Sequence, residues 1–339
     1  MATIKEIASK AGVSPGTASF VLSGKGDLMR ISKSTQNKIL EIAHSVGYSP
    51  NLSARRLRSK GELLPVIAIL WTLDSRASLI SPFLQGIQSQ LSGDLERFEL
   101  LIQPYENSRL DKVDSLLTGM RYNGAIIANA SDEDLDFLDN SEVKVPLVIY
   151  QRKSEKYSCV YVDSYGVGKQ VAELFADKGH SHVGMIVPDS PSQAIYLRFN
   201  GFKDAAWERG LYLPDRSIVY GCFSEEGGYK AVKEMALTGR LPAAMFFLSE
   251  TMAIGGLAAL HELGVRIPQD IEIVGHDNHD QTRFTIPSLT TVNLPVAAMA
   301  NSCVDIVMDM IEHKVKEPVA IVHETSLVYR DSCGSCLKP

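Results

Sequence analysis

Two kinds of apolar periodicity, in separate parts of the chain, predict an all-α helix-turn-helix headpiece followed by an α/β core of two doubly wound parallel-sheet lobes. Residues 1–48 carry apolar positions three and four apart between capping and stop residues, the pattern of short amphipathic helices. From Val66 onward, short apolar runs alternate with helical stretches, the signature of βαβ units. Charge divides the chain at nearly the same place. Residues 1–60 hold ten Lys/Arg against Glu6, Asp27 and Glu41, a net +7 in a chain of overall charge −6, which leaves −13 for the remainder. A basic end on an acidic chain suits contact with a polyanion while the rest stays soluble.

In TIKEIASKAG, Thr3 and Glu6 have capping-box spacing, Ile4, Ile7, Ala8 and Ala11 share one face, and Gly12 supplies a stop. After Val13, Ser14 caps a second helix with Pro15 at its first position, where the missing N–H costs nothing. Ala18, Val21 and Leu22 continue the buried stripe toward Gly24. Residues 25–31 read as a loop. Ser32 then starts a third helix with Ile39, Ile42, Ala43 and Val46 inward and Gly47 at its end. The stretch NLSARRLRSKG that follows Tyr48-Ser-Pro50 is too short and too basic to hold a helix alone, so it folds when something binds it. Residues 61–65 link it to the core.

The core's predicted strands are VIAIL (66–70), ELLIQ (99–103), GAIIA (124–128), PLVIY (146–150) and VYVD (160–163), then VGMIV (183–187), SIVY (217–220), AAMFF (243–247) and IEIVG (271–275). Helical patterns fill 165–179, 195–210, 226–237 and 252–264. A last helix at 296–313 and a strand at 318–322 return to the first lobe. The chain of 339 residues is long enough for two or three domains. Five scattered cysteines argue against a disulfide framework, and the tail pair Cys333-Gly-Ser-Cys336 lacks the two further ligands a zinc site needs. With no run of about 18 apolar residues and a charged start, no membrane partner is expected and the cytoplasm is the expected compartment. Walker, GxSxG, HExxH and GxGxxG motifs are absent, so neither an enzyme nor a cofactor is expected.

The order of these parts, with TIKEIASKAGVS, GTAS, SPNLSARRL, GHSHVG, RFNGF, IVGHDN, PSLTTV and SLVYRDS, resembles the LacI/GalR family along essentially the whole chain. The resemblance implies a headpiece (1–48), a hinge helix and linker (49–64), and a core resembling periplasmic sugar-binding proteins. Its N-terminal lobe takes 65–162 with 293–323, and its C-terminal lobe 163–292 with 324–339. The implied function is a transcription regulator, a repressor, that binds a near-palindromic operator in double-stranded DNA as a homodimer and answers to a small sugar-like effector. Alternatives are a regulator that is ligand-insensitive or uses a protein corepressor, and, more remotely, a soluble sugar-binding protein or an enzyme on the same core.

The implied DNA-binding residues are Thr3, Ser14, Pro15, Gly16, Thr17, Ser19, Phe20, Tyr48, Asn51, Ala54, Arg55 and Leu57. Hydroxyls of Ser14, Thr17 and Ser19 hold phosphates, while Pro15, Gly16 and Phe20 fall at the base-reading positions. None of those three offers a side-chain hydrogen bond to a base edge; Phe20 reaches a thymine methyl, or else is core. Leu57 stands where the family wedges a leucine into a minor-groove step, beside Asn51, Ala54 and Arg55. For the effector, Arg198 and Asp277 match the family's sugar-binding pair and Phe223 an aromatic that stacks on the ligand; Thr72, Asp74, Asn129, Gln151 and Ser249 fall at strand ends facing the same space. Ser249-Glu250 replaces the family's usual Asn-Asp, and Gln151 its usual Asp. His276 and His279, beside Asp277, read as structural rather than metal-binding.

Overall fold

A computed structural model describes residues 3–22, 26, 29–46, 64–74, 76, 79–91, 97–237, 239 and 241–334. The hinge, with Asn51, Ala54, Arg55 and Leu57, lies outside these residues, as do Tyr48 and Cys336.

Three helices form the headpiece: α1 (Ile4–Ala11), α2 (Pro15–Leu22) and α3 (Lys33–Ser45). The Thr3 side chain accepts from the Glu6 N–H at 3.2 Å, and Gly12, at φ 71°, closes α1 in the left-handed conformation. Ser14 Oγ accepts from Thr17 N–H at 3.1 Å, and Ser32 Oγ from Thr35 N–H at 3.3 Å, so each helix start has its hydroxyl cap. Ile7, Ala8, Ala11, Ala18, Val21, Ile39 and Ala43 pack together as one small core.

The rest of the chain builds two six-stranded sheets. The first, in the order β11-β5-β4-β3-β1-β2, takes β1 (Val66–Thr72), β2 (Glu99–Tyr105), β3 (Gly124–Ala128), β4 (Leu147–Tyr150), β5 (Ser158–Val162) and the late strand β11 (Ala320–His323). The second, β12-β10-β9-β8-β6-β7, takes β6 (Val183–Pro188), β7 (Ile218–Gly221), β8 (Ala244–Phe247), β9 (Glu272–Asp277), β10 (Thr290–Asn293) and β12 (Ser326–Val328). In the first lobe, α4 (Ile80–Leu91) and the return helix α11 (Val296–Ile311) contribute to the core on one face, while α5 (Asp114–Thr118) and α6 (Asp132–Asn140) contribute on the other. In the second, α7 (Ser164–Asp177) and α8 (Gln193–Glu208) cover one face and α9 (Glu225–Leu237) and α10 (Glu250–Glu262) the other. Strands covered on both faces have no solvent side, which is why they read as unbroken apolar runs.

The second sheet departs from the expected all-parallel arrangement. β12 runs antiparallel to β10, with Val292 opposite Leu327. Two residues separate β11 in the first sheet from β12 in the second. Neither β10 nor β12 was expected as a strand. β10 is four residues long and starts with two fully buried threonines, and Thr290 Oγ1 satisfies itself on the Arg330 and Cys333 carbonyls.

Helices α7 and α8 cross unusually close. A Cβ on Gly168 would lie 1.9 Å from the Arg198 carbonyl oxygen, and one on Gly201 2.0 Å from that of Tyr165. Gly168 and the glycine of RFNGF therefore serve a backbone-to-backbone contact that seats Arg198 on the lobe.

Candidate functional site

The exposed side of α2 presents Ser14, Pro15, Gly16 and Phe20, while Ala18 and Val21 point into the headpiece core and Thr17 and Ser19 are half-buried. Phe20 is 38% exposed. Ser14 Oγ lies 2.9 Å from Thr17 Oγ1, so two of the expected phosphate-holding hydroxyls form one pair at the helix start. Thr3 is exposed at the start of α1. Among the described residues a Cβ on Gly16 would meet only Ser14 Oγ, at 3.7 Å, so none of them requires a glycine there.

Two cavities open between the lobes. The larger, about 940 Å³, is walled by Ser81, Pro82, Gln85 and Gly86 of α4, by Phe223–Glu225 and Asp277–Gln281 of the second lobe, and by residues 293–298. The smaller, about 420 Å³, lies among Gln151–Lys153, Tyr161–Ser164, Gln193, Ala194, Leu197 and Val322. Of the eight expected effector residues, Phe223 and Asp277 meet on the first cavity and Gln151 lies on the second. Thr72, Asp74, Asn129, Arg198 and Ser249 are not on the walls of either. Asn129, Gln151, Asp277 and its neighbour Asn278 have positive φ (61°, 64°, 125° and 65°), so the chain concentrates backbone strain at the carboxyl ends of its strands.

A buried polar group is centred on Arg198, 5% exposed on α8. Its Nη1 donates to the Leu248 carbonyl at 2.7 Å, and burial pushes the guanidinium down to about 10, against the attraction of Asp277. His276, 1% exposed, lies 2.8 Å from Asp277 Oδ1 through Nδ1. Burial, reinforced by Arg198, pushes this imidazole down to about 4, so it is neutral near pH 7. Burial alone would raise the Asp277 carboxyl, but His276, His279 and Arg198 outweigh it and hold Asp277 below its ordinary value. Arg198 and Asp277, both of the second lobe, thus feel each other's charge with no direct salt bridge between them among the described residues.

Sequence reasoning treated Glu250 only as a departure from a pattern. It is fully buried and accepts from the N–H groups of Asn278 at 2.8 Å and His279 at 2.7 Å, pinning the loop that carries Asp277. Burial, with Asp277 adding to it, raises the Glu250 carboxyl. Arg76 was not anticipated either. Its Nε donates to both Asp74 oxygens at 3.0 and 3.1 Å and its Nη2 to Asn107 at 2.7 Å, which commits Asp74 to an internal ion pair. Burial raises the Asp74 carboxyl, and the hydrogen bonds and charge of Arg76 reverse the balance. Nearby, Asn129 Nδ2 donates to Thr72 Oγ1 at 3.2 Å. Leu79 packs against the cores of both lobes. No spacing signal marks Glu250 or Asn129, because their partners are brought close only by folding. Cys333 is buried, with its Sγ 3.4 Å from Glu272 Oε2.

Comparison with known proteins adds identity to this geometry. Residues 3–51 match the bacterial regulatory proteins of the lacI family, and residues 172–333 match the periplasmic binding protein-like domain. The HTH-type transcriptional repressor PurR of Pasteurella multocida (strain Pm70) is 28% identical over 344 residues, covering 99% of this chain and 100% of its own. A LacI family transcription regulator from Clostridium acetobutylicum superposes with a TM-score of 0.76 at 31% identity, over 78% of this chain and 99% of its own. The complex of the transcriptional regulator CelR with cellobiose superposes with a TM-score of 0.71 at 25% identity, over 98% of this chain and 100% of that one. The headpiece, the two-lobed core and these relatives together place the chain in the lacI family of bacterial regulatory proteins.

Proposed function

We propose that this protein is a cytoplasmic transcriptional repressor that binds a near-palindromic operator as a homodimer and is controlled by a neutral sugar-like effector held between its lobes. The observation that carries the DNA half is the outer face of α2. It offers Ser14, Pro15, Gly16 and Phe20 on the basic segment of an acidic chain. Inserted N-terminal end first into a major groove, that face gives hydroxyls to phosphates, lets Gly16 bring backbone close to the bases, and sets Phe20 against a thymine methyl. Thr3 supports the phosphate contacts. Tyr48, Asn51, Ala54, Arg55 and Leu57 complete the interface, with Leu57 as the minor-groove wedge from each of two paired hinges. The division follows function: residues 1–48 read DNA, 49–64 couple, and the two core lobes sense.

The effector half rests on the cavity shared by Phe223 and Asp277, with Gln151 at the second opening and Arg198 and Ser249 buried off the walls of both. An aromatic face, a carboxylate and a buried guanidinium suit a ring bearing hydroxyls. Ligand binding changes how the lobes meet, and the paired hinges gain or lose their packing accordingly. CelR, solved with cellobiose, supports a sugar as the class of effector. A second reading, a regulator that answers to a protein corepressor, is favoured by Leu79 lodged against both lobe cores and by the commitment of Asp74 to Arg76.

Selection of binding sites from random duplexes by the full chain, followed by titration of wild type and Leu57→Ala, tests the DNA reading. The expected result is a two-fold symmetric site, with Leu57→Ala losing site-specific binding while keeping salt-sensitive unspecific binding. An asymmetric site, or a Leu57→Ala protein that binds it unchanged, refutes the hinge-coupled dimer.

A further inference from the structure

The smaller opening differs from the larger in charge. The larger cavity is walled by Glu225, Asp277 and Asp280 with no Lys or Arg, whereas the smaller carries Arg152 and Lys153 against Asp163 alone. Arg152, on that wall, is 6% exposed, and its Nε is a buried donor with no hydrogen-bond partner among the described residues. Its other nitrogens are engaged: Nη1 donates to the Ala130 carbonyl at 2.9 Å and Nη2 to Asp132, whose carboxylate is mostly in solvent. An interior donor left unpaired carries a desolvation cost. Burial also pulls the guanidinium below its ordinary value, so an acceptor bearing negative charge relieves both. Lys153 is exposed on the same wall and makes no ion pair among the described residues.

The wall supplied by the second lobe points the same way. Two of its helices begin at this cavity, α7 beside Asp163 and α8 at Gln193 and Ala194. The Asp163 side chain accepts from Gly166 N–H at 2.9 Å and so caps α7. No such cap closes α8, which is 16 residues long: its N-cap Ser192 makes no side-chain capping bond and its first turn contains no acidic residue. The N–H groups of Gln193, Ala194 and Ile195 precede the first intrahelical bond, which runs from Tyr196 N–H to the Ser192 carbonyl. They leave the positive end of a long helix open beside an unpaired guanidinium donor.

We infer that the smaller opening is a second ligand site, separate from the larger cavity, that takes a phosphate monoester: its oxygens accept from Arg152 Nε and from the first N–H groups of α8, and Lys153 adds charge. Three acceptor oxygens match donors that stand on two walls, which a lone hydroxyl cannot do. Tyr161, Leu197 and Val322 flank the organic part, and about 420 Å³ accommodates an ester of a few carbons. Arg152 and Lys153 belong to the first lobe and α8 to the second, so an occupant ties the lobes together and biases how they meet. The site does not depend on a sugar in the larger cavity.

The test titrates the full chain by calorimetry, in phosphate-free buffer, with glycerol 3-phosphate and phenyl phosphate, with inorganic phosphate as the ion lacking an organic part and glycerol as the neutral counterpart. The esters are expected to bind, inorganic phosphate more weakly and glycerol not at all. Because the basic headpiece also attracts phosphates, three variants locate the site: Arg152→Gln, Lys153→Gln and Ser192→Asp. The last places a carboxylate on the open end of α8, where it caps the helix and competes with the ligand, so it is expected to melt no lower than wild type. Arg152→Gln and Ser192→Asp are each expected to weaken ester binding about 10-fold or more, and Lys153→Gln to weaken it less. Ser192→Asp and Lys153→Gln keep the test intact if Arg152→Gln does not fold. No ester binding to wild type, equal binding by wild type and Ser192→Asp, inorganic phosphate bound as tightly as the esters, or glycerol bound as tightly as glycerol 3-phosphate overturns the assignment, and each leaves the sugar reading of the larger cavity untouched.

Discussion

Gly168→Ala puts a methyl group where α7 and α8 already touch through their backbones. The new carbon would sit 1.9 Å from the Arg198 oxygen and 2.6 Å from the Phe202 nitrogen, both main-chain atoms that no rotamer change can move. Reaching ordinary contact requires the helices to part by about 1.5 Å in a close-packed interior. That opening also loosens Val167, Val171 and Phe175 from Ile195, Phe202 and Ala206. A gap of this size forfeits a large part of the dispersion attraction, so the loss belongs near the top of the overpacking range, about 3 kcal/mol. For a lobe of this size that lowers Tm by about 6–12 °C. Thermal melts followed by circular dichroism, read at the second lobe's transition, measure it, with Gly210→Ala avoided for its positive φ and Gly334→Ala as control because a Cβ there meets nothing within 4 Å among the described residues. Gly201→Ala strikes the same crossing through Tyr165, so the double variant is expected to lose clearly less than the sum of the singles. Fully additive losses, or a Gly168→Ala protein melting with wild type, refute the claim that this contact fixes α8 and the Arg198 it carries.

Gly16→Ala is expected to act in opposite directions on stability and binding: the headpiece gains about 0.5–1 kcal/mol of helix propensity, while operator affinity falls in fluorescence anisotropy. Unchanged affinity would mean that no partner approaches that face. Glu250→Gln leaves only one oxygen for the two N–H groups of Asn278 and His279, so a loss of about 1–3 kcal/mol in urea unfolding is expected, together with weaker effector binding; an unaltered midpoint contradicts the pinning role. His276 supplies a pH dependence. Its folded value near 4 lies below the ordinary 6.5, so the unfolded chain binds more protons in that window and stability rises with pH through it. The contribution, on the order of 3 kcal/mol, is complete above pH 6.5 and lost as pH falls toward 4; urea midpoints for His276→Phe are expected to change less across that window, and equal slopes refute it.

The headpiece was legible because its signals are local. Ile7, Ala11, Ala18, Val21 and Ile39 recur at helical spacing between Thr3, Gly12, Ser14 and Ser32, and these residues cap or pack as their spacing requires. The central strands were legible as apolar runs for the reason that buries them. β10 and β12 were not: both are short, and β10 is held through Thr290 by Ser332, Arg330 and the Cys333 carbonyl, some 40 residues away in sequence. The site divides in the same way. Asp277, Phe223 and Gln151 stand where motif and strand end suggest a cleft. The bonds of Glu250 to a loop 28 and 29 residues later, and of Arg76 to Asn107, depend on tertiary placement that spacing cannot encode.

The central claim is that occupation of the cleft and affinity for DNA are linked. The measurement that tests it is the operator Kd of the full chain by anisotropy, at fixed salt, with and without a sugar shown by calorimetry to bind, for wild type and Asp277→Asn. The account predicts a shift of about 5- to 150-fold in wild type and loss of that response in Asp277→Asn. A sugar that binds the wild-type protein and leaves its operator Kd unmoved would contradict it.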